Sequence, residues 1–420
     1  MTRTRPWIAF VGTMALLLTA CGGAATGPLA SQAPSAGAPT TAATAAATVG
    51  PDIPIGLQTP LSAPGAVTLG QQIQRGAELG VEYVNTVMKG VLGGRKLVMY
   101  TEDTQGQNET AVSGYRRLVT EKKVVTTFGY VHSSALLAVN EVAKELGVPT
   151  ISSQASAKDI TAKHYDIAFR THLIDPARAN AWLQLIKQKG WKKVAIIAED
   201  TDYGVGLVNE TKSQSQAMGL NLDLQVNVVD KTAVDLTPQL LKMKDFKPDL
   251  VLLIASAKQR DQITDQAFQI GLHPAVPMLN SNDEPTATNF WDLHPKSGVG
   301  LMTIATFSPK QKLSDAAQWA ADKYQAKYNE AAIYASLNGF ADVVIIAQAI
   351  DLAKSTDPKA IIKALETGTF KGWPDTPVTF PRADGVNWHN WSPPVLIIQF
   401  TKEKQDWREA PILISAAAAK

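Results

Sequence analysis

The chain has 420 residues, of which 45% are hydrophobic and 19% are charged. Its 40 basic and 38 acidic residues give a net charge of +2, and Arg3 and Arg5 supply this excess. The rest of the chain is therefore electrically balanced and lacks the basic character that nucleic-acid binding normally requires. About 360 residues follow Ile53, more than one hydrophobic core usually organises, so two domains are expected.

The N-terminus has the pattern of a bacterial lipoprotein signal peptide. Arg3 and Arg5 precede an apolar run over residues 7–18, which at about 1.5 Å per residue is much shorter than a hydrocarbon core of roughly 30 Å. The run therefore predicts a signal peptide over residues 1–20 rather than a transmembrane helix. The Leu-Thr-Ala-Cys sequence at residues 18–21 resembles the lipobox. The alternative is an ordinary signal peptide that happens to contain a cysteine.

Cys21 is the only cysteine of the chain, and it stands at the position that the lipobox requires. The sequence therefore predicts lipidation of Cys21 and a stable membrane anchor, because each buried methylene contributes roughly 0.8 kcal/mol. Residues 22–51 contain no charged residue and consist almost entirely of Ala, Thr, Gly, Ser and Pro. Such a tract cannot bury enough apolar surface to order itself, so residues 21–51 are expected to be a linker.

The body alternates short β-branched segments with amphipathic helices. In the first series, strands are predicted at residues 53–57, 96–100, 124–131, 148–153 and 167–170, with helices at 73–88, 108–121 and 136–146. In the second series, strands are predicted at 193–198, 222–229, 250–255 and 276–279, with helices at 177–189, 204–218, 238–245 and 258–270. This alternation predicts parallel sheets covered by helices on both faces.

The pattern changes near residue 301. A strand is predicted at residues 301–307, helices at 314–329, 333–353 and 358–367, and strands at 377–380 and 395–400. This order indicates that the chain returns to complete lobes already begun. The predicted fold class is α/β, with two doubly wound parallel-sheet lobes.

Four local sequences occur in the order found in one receptor family. They are Pro-Ile-Gly-Leu at 54–57 with residues 60–62 and 70–78, Gly-Val-Pro-Thr-Ile-Ser at 147–152, Asp-Tyr-Gly-Val-Gly at 202–206, and Val-Thr-Phe at 378–380 with Asp-Gly at 384–385. Together they resemble the leucine/isoleucine/valine-binding family of periplasmic solute receptors, which serve ATP-driven importers. The resemblance extends from Ile53 to about Trp407.

The resemblance implies the fold called periplasmic-binding-protein type I, with three chain crossings that form a hinge. By position, the crossings are expected near residues 171–176, 302–308 and 373–376. Lobe 1 would then hold residues 53–172 and 306–374, and lobe 2 would hold residues 174–303 and 377–412.

The candidate site begins at a junction between a strand and a helix, where parallel sheets bind ligands. His132, Ser133 and Ser134 occupy this junction, and a serine there either caps the helix or contacts a ligand carboxylate. The resemblance implies that Ser133 and Ser156 hold the carboxylate of an amino acid. Gln154 stands where the family has a small residue, which puts the size of the pocket in doubt.

The second lobe is expected to supply the remaining contacts. The resemblance implies that Tyr203 lies over the ligand after closure, and aromatic packing at a helix start is the alternative. A ligand ammonium would need an acid, because an unpaired cation in a closed cleft is strongly disfavoured. Asn282 is the best-aligned residue of the relevant loop. Asp283 is the expected carboxylate, with Glu284 as the second candidate; a solvated polar loop is the alternative. Leu69 is expected to line lobe 1.

These features predict an extracytoplasmic solute-binding lipoprotein of an ABC-type importer, at the outer face of the cytoplasmic membrane. Its expected ligand is a branched-chain or related amino acid, which it delivers to a membrane permease. A receptor for an amide, a urea-like solute or an aromatic acid is an alternative, as is a receptor that feeds a sensor. We expect a monomer without cofactor.

An anchored hydrolase is the competing class of function. The sequence contains no Gly-x-Ser-x-Gly, no Walker lysine motif and no His-Glu-x-x-His. Its six histidines show no metal-ligand spacing. We therefore expect neither a catalytic residue nor a metal.

Overall fold

The computed structural model describes residues 50–287, 289–307 and 311–416. The predicted signal peptide, the predicted lipidation at Cys21 and the predicted linker up to residue 49 lie outside the described residues. Within the described residues, strands and helices alternate and form two lobes, each built on one large sheet.

The sheet of lobe 1 has five strands, each parallel to its neighbours. They are β1 (Ile53–Thr59), β2 (Leu97–Asp103), β3 (Thr127–Tyr130), β4 (Thr150–Ser152) and β5 (Ala168–Arg170). The helices between them are α1 (Val67–Thr86), α2 (Asn108–Thr120), α3 (Ser133–Leu146) and α4 (Asp159–Ala162). The strand order across the sheet is β2-β1-β3-β4-β5.

Lobe 2 repeats this plan. Its helices are α5 (Asp175–Lys189), α6 (Asp202–Ala217), α7 (Thr237–Phe246), α8 (Ala257–Gln269) and the short α9 (Phe290–Leu293). Its parallel strands are β6 (Lys193–Glu199), β7 (Asp223–Val229), β8 (Leu250–Ile254), β9 (Met278–Asn280) and β10 (Met302–Ala305).

The C-terminal part of the chain supplies elements to both lobes. The helices are α10 (Asp315–Tyr328), α11 (Tyr334–Ala353) and α12 (Pro358–Thr367), and the strands are β11 (Phe370–Lys371), β12 (Pro377–Val378), β13 (Val395–Gln399) and β14 (Ile412–Ala416). Single 3-10 turns occur at Glu284–Thr286, Gly385–Asn387 and Trp407–Glu409.

Strands β13 and β14 complete the sheet of lobe 2, whose order is β14-β13-β10-β9-β8-β6-β7. Both are antiparallel to their neighbours, so this sheet is mixed at one edge. The α/β class with two doubly wound sheets is confirmed. The antiparallel edge is a feature that the sequence analysis did not predict.

Strand β6 shows why the sheet of lobe 2 is covered on both faces. Side chains alternate between the faces of a strand. Val194 and Ile196 pack with α5 and α6 in one core, whereas Ala195 and Ile197 pack in a second core with α7 and α8. All four side chains are fully buried, as expected for a strand of a parallel sheet with helices on both sides.

Helices α1 and α11 make an unusually close contact in lobe 1. A Cβ atom added to Gly76 of α1 would lie 1.9 Å from the Ser336 carbonyl oxygen, and one added to Gly339 of α11 would lie 2.3 Å from the Ile73 carbonyl oxygen. The two helices therefore touch backbone to backbone. Helix α11 has the length and apolar composition of a membrane span, but 83% of its most apolar window is buried in the lobe.

The chain crosses between the lobes three times. The first crossing runs over residues 171–174, from β5 to α5, and the second lies between the end of β10 and the start of α10. The third runs over residues 391–394, between Asn390, which forms a parallel bridge with Arg170 of lobe 1, and the start of β13 in lobe 2. The three crossings form the predicted hinge.

The third crossing differs from the position predicted near residues 373–376, and lobe 2 does not resume at residue 377. Val378 of β12 pairs with Phe370 of β11, and both belong to the core of lobe 1. Phe380 is fully buried in the same core. The chain is therefore held on lobe 1 through this turn, because β12 has its partner there.

Candidate functional site

The strand order reverses once in each lobe, between β1 and β3 and between β6 and β8. In open α/β sheets, ligands bind beyond the carboxyl ends of the strands at such switch points. The segments that follow these four strands line one cavity of about 590 Å³ between the lobes. Small-molecule sites typically measure about 300–1,000 Å³, so this cavity is the candidate site.

All eight residues that the sequence analysis proposed for ligand binding line this cavity. They are Leu69, Ser133, Ser134, Gln154, Ser156, Tyr203, Asn282 and Asp283. The structure brings them together from loops and helix starts of both lobes, but their contact with a ligand stays a prediction.

The two serines that the resemblance pairs lie next to each other. Ser133 is the first residue of α3, and its Oγ accepts hydrogen bonds from the backbone N–H groups of Ser156 (3.3 Å) and Ala157 (3.2 Å). No side chain caps α3, so the alternative reading of Ser133 as a helix cap is wrong. A hydroxyl also has one donor, so Ser133 can still donate to a ligand.

Two contacts join the lobes beside the cavity. The N–H of Asp202 in lobe 2 donates to Ser134 Oγ in lobe 1 at 3.3 Å. Lys158 Nζ of lobe 1 lies 2.6 Å from Glu210 Oε1 of lobe 2. The cleft is therefore bridged on this side.

Tyr203 lies in the first turn of α6, where Thr201 Oγ1 accepts from the Gly204 N–H at 3.2 Å and caps the helix. The Tyr203 hydroxyl is 2.7 Å from Ser281 Oγ within lobe 2. Its ring centre is 5.3 Å from the guanidinium carbon of Arg178. The ring thus forms part of the cavity wall and its hydroxyl is already bonded.

The two acidic residues in the loop after β9 differ in their ion-pair partners. Glu284 Oε2 is 2.8 Å from Arg260 Nη1, so its charge is compensated within lobe 2. Asp283 Oδ2 accepts from the Thr306 hydroxyl at 3.2 Å, and no described lysine or arginine pairs with it. Burial raises the pKa of Asp283. Asn282 holds the loop, donating from Nδ2 to the Ala255 carbonyl at 3.0 Å.

Sequence comparison identifies the family of the chain. Residues 52–393 match the profile of the family described as "Periplasmic binding protein". The chain belongs to this family. Among its relatives is the "Leu/Ile/Val-binding protein homolog 3" of Brucella melitensis, 27% identical over 319 residues, which cover 76% of this chain and 84% of the relative. The "Leu/Ile/Val-binding protein BraC3" of Rhizobium johnstonii matches with the same identity and coverage.

Solved structures of periplasmic binding proteins share the fold. The leucine-binding protein LivK of Thermotoga maritima has a TM-score of 0.75 and 20% identity, over 87% of this chain and 99% of that chain. An isoleucine complex from Streptococcus pneumoniae has a TM-score of 0.73 and 22% identity, over 87% and 99%. A benzoate complex from R. palustris has a TM-score of 0.74 and 20% identity, over 88% and 97%.

The sequence analysis missed a buried cation of this periplasmic binding protein. Arg178 of α5 is 3% exposed and lines the cavity. Its Nη1 donates to Ser156 Oγ at 3.0 Å and lies 3.3 Å from Asp175 Oδ1. The sequence carried no clear signal for it, because Asp175 lies one turn earlier on the same face of α5, which therefore does not have an apolar pattern.

Glu199 is a second missed residue, at the carboxyl end of β6. It lines the cavity and is 5% exposed. Its carboxylate accepts from the Thr201 hydroxyl (2.7 Å) and from the N–H and hydroxyl of Ser256 (2.9 and 3.0 Å). These bonds fix the carboxylate within lobe 2, and burial raises its pKa.

Two polar side chains at the cavity have unsatisfied nitrogens. Gln154 is 7% exposed, and its Nε2 has no hydrogen-bond partner among the residues that the structure describes. His132 Nδ1 likewise lacks a hydrogen-bond partner within residues 50–287, 289–307 and 311–416. Burial lowers the pKa of His132 to about 4, so its ring is neutral at physiological pH.

The arrangement gives little support to catalysis. The described part of the chain contains no group of His, Cys, Asp or Glu that could hold a metal ion. Ser297 and His294 approach each other, but the Ser297 hydroxyl donates to Asp265 at 2.5 Å, and both His294 ring nitrogens face carboxylates. A serine nucleophile needs a histidine that takes its proton, and this geometry does not offer one.

Proposed function

We propose that this chain is the extracytoplasmic solute-binding component of an ABC-type importer, and that its solute is a branched-chain or related amino acid. One observation carries the proposal: a cavity of about 590 Å³ lies between the switch points of the two sheets. Membership of the periplasmic binding protein family supports it, as do relatives named for leucine, isoleucine and valine binding.

The polarity of the cavity supports a zwitterionic ligand. Ser133 and Ser156 lie on one side, at the start of α3, where the N-terminal end of the helix favours a carboxylate. Asp283 faces the cavity from lobe 2 and forms no salt bridge with a described lysine or arginine, whereas Glu284 is already paired with Arg260. We therefore assign the ligand ammonium to Asp283.

Closure of the cleft would capture the solute. A ligand shifts the lobes toward the closed arrangement only if it makes better contacts there, and cavity-lining residues from both lobes supply such contacts. The three crossings restrict the motion to a hinge. The closed form would then be the one that the membrane permease of the importer recognises.

Binding without catalysis is part of this proposal. The Ser297 cluster lacks the proton acceptor of a hydrolase, which disfavours an anchored hydrolase. A receptor for an aromatic acid stays the second candidate, because a benzoate-bound periplasmic protein has the same fold and Phe290 and Leu293 line the cavity.

We also propose that Cys21 is lipidated and tethers the protein to the outer face of the cytoplasmic membrane. The support is in the sequence: the basic and apolar N-terminus, the lipobox-like residues 18–21 and the uncharged tract that follows.

The first experiment is a thermal-shift screen of the protein against amino acids, amides and aromatic acids. A ligand at 100 times its dissociation constant adds about 2.7 kcal/mol to the stability of the folded state, which is easily measured. We expect stabilisation by at least one branched-chain amino acid. If none of the three classes raises the unfolding temperature, the proposed function is wrong.

Asp283→Asn distinguishes the amino-acid receptor from the aromatic-acid receptor. Leucine should lose at least about tenfold in affinity, because its ammonium would lose a charged partner. The same compound without the amino group, 4-methylpentanoate, should be unaffected. Calorimetry on both compounds measures this, and Asp375→Asn, which removes an exposed acid paired with Lys312, is the matched control. Equal leucine affinities in wild type and Asp283→Asn would remove the assignment.

A further inference from the structure

Two buried arginines lie at the hinge side of the cavity. Arg170 and Arg178 are 0% and 3% exposed, and both lie near Asp175, which is 1% exposed. Arg178 Nη1 is 3.3 Å from Asp175 Oδ1, whereas Arg170 donates to backbone carbonyls, including that of Ser156 at 2.8 Å. Asp175 is thus the ion-pair partner of Arg178, and the charge of Arg178 also acts on Asp283.

His172 adds no charge to this cluster. Its Nε2 lies 3.3 Å from Arg178 Nη2, and burial together with the neighbouring arginines holds its pKa well below the usual range. Arg170 stays protonated at neutral pH, because burial lowers its pKa only to about 9. The carboxyl groups of Asp175 and Asp283 both lie within the electrostatic reach of Arg178. What the cluster leaves unsatisfied is therefore a hydrogen-bond donor of Arg178, not a net charge.

Arg178 is the member of the cluster that reaches the cavity. Its two Nη atoms contact Ser156, Asp175 and His172. Its Nε is buried and has no hydrogen-bond partner among the described residues. A buried donor without a partner costs about 1–3 kcal/mol, so an acceptor supplied by a ligand would remove this cost.

Gln154 offers a second unsatisfied donor from the opposite lobe. Its Nε2 is buried, lines the same cavity and lacks a partner within the described part of the chain. A carboxylate has two acceptor oxygens, and its hydrogen bonds with a guanidinium are about twice as strong as neutral ones. Hydroxyls such as Ser133 bind a carboxylate and a neutral amide oxygen with far less discrimination.

We propose that Arg178, assisted by Gln154, selects the charge of the ligand and restricts this site to organic acids. The inference rests on the proposed function and deepens it by assigning the class of solute. In this assignment Arg178 and Gln154 bind the carboxylate of the ligand, and Asp283 binds its ammonium group. Amides and urea-like solutes are thereby excluded.

The test compares acids with their own amides on the full chain. Isothermal calorimetry would measure leucine against leucinamide and benzoate against benzamide. The wild type should bind the acid of at least one pair about tenfold or more tightly than the amide. Arg178→Gln should bring this ratio close to one, and Arg178→Lys, which keeps the charge, should retain part of it.

The controls separate charge selection from damage to the fold. Arg117→Gln removes an exposed arginine paired with Glu102 and should leave the ratio at its wild-type value. Arg178→Gln leaves Asp175 without its ion-pair partner. The double variant Asp175→Asn/Arg178→Gln removes both charges together and is therefore measured in parallel.

The inference is overturned if Arg178→Gln or the double variant folds and still binds the acid more tightly than the amide by the wild-type ratio. A wild type that prefers the amides overturns it as well. These results leave the solute-binding function intact, because a ligand is still bound. A wild type that binds no amino acid, amide or aromatic acid overturns the proposed function and this inference with it.

Discussion

Asp342 illustrates how a single buried residue can link the hinge to pH. Its carboxylate is fully buried on α11 and accepts hydrogen bonds from the hydroxyls of Ser153 (2.5 Å) and Thr171 (2.7 Å). Thr171 begins the first crossing between the lobes. Burial raises the pKa of Asp342 to about 7, so this carboxyl group titrates in the physiological range.

Stability should therefore depend on the charge of Asp342. Between about pH 4 and pH 7 the folded protein holds a proton that the unfolded chain has lost, so stability falls as pH rises through this window and levels off above it. The slope due to this group is at most about 1.4 kcal/mol per pH unit. Asp342→Asn should abolish this component, so that the free energy of unfolding of the variant rises relative to that of wild type from pH 5 to pH 8.

Urea unfolding of both proteins at pH 5, 6, 7 and 8 measures this difference. Other raised carboxyl groups, such as Glu199 and Asp283, are the same in both proteins and cancel in the comparison. Parallel pH profiles for wild type and variant would contradict the assignment.

At the residue scale, the sequence correctly placed at the cavity those residues that lie in the segments directly after strands. The eight proposed residues reach one cavity because chain order and resemblance place them at helix starts and loops beyond strand ends. The structure assigns new partners to some of them, since Ser156 accepts from Arg178. Arg178 was missed because it lies inside a helix, where the packing of the hinge alone decides that it turns toward the cavity.

At the scale of elements, the contact between α1 and α11 is the most constrained of lobe 1. Gly76 faces the Ser336 carbonyl, and an added Cβ would lie 1.9 Å from it. Gly76→Ala should therefore force the helices apart and destabilise the protein by about 1–3 kcal/mol or more, because overpacking strains a dense interior.

Gly206→Ala is the matched control for Gly76→Ala. Gly206 is also inside a helix, α6, but an added Cβ would come no nearer than 3.9 Å, to Asp175 Oδ2. This variant should be stabilised by roughly 0.5–1 kcal/mol, because alanine is the better helix former. Chemical denaturation measures both variants, and equal stabilities would show that the helices can adjust.

Elements with strong periodic patterns were predicted well from the sequence. Of the elements that depend on a partner, β12 lies within the strand predicted at residues 377–380, whereas β11 was not predicted. Helix α12 spans Pro358–Thr367 as predicted, because a capping Asp357 and Pro358 mark its start. The two-residue strands β11 and β12 exist only because they pair with each other. Strand β14 was missed because it lies at a sheet edge and is largely exposed, so it lacks the apolar pattern of a buried strand.

For the whole molecule, the ion pair between Lys158 and Glu210 joins the lobes. Because its partners belong to different lobes, we expect opening of the cleft to separate them. Lys158→Ala should weaken ligand binding by about twofold to fivefold, the range expected for a half-exposed pair. The remaining affinity should also depend less on ionic strength.

Calorimetry at low and high salt tests this prediction. Lys163→Ala is the control, because Lys163 pairs with Glu141 within lobe 1 and should leave ligand affinity unchanged. An affinity loss as large in the control would mean that the effect comes from net charge rather than from closure.

The connectivity of the lobes sets the order in which the protein can be completed. Helix α1 lies near the start of the body, but its glycine face is covered by α11, which follows the whole of the parallel sheet of lobe 2 in the chain. A nascent or secreted chain that has emerged only as far as β10 therefore exposes this face. Lobe 1, although encoded first, therefore cannot be completed until α11 has emerged, and lobe 2 is completed later still by β13 and β14.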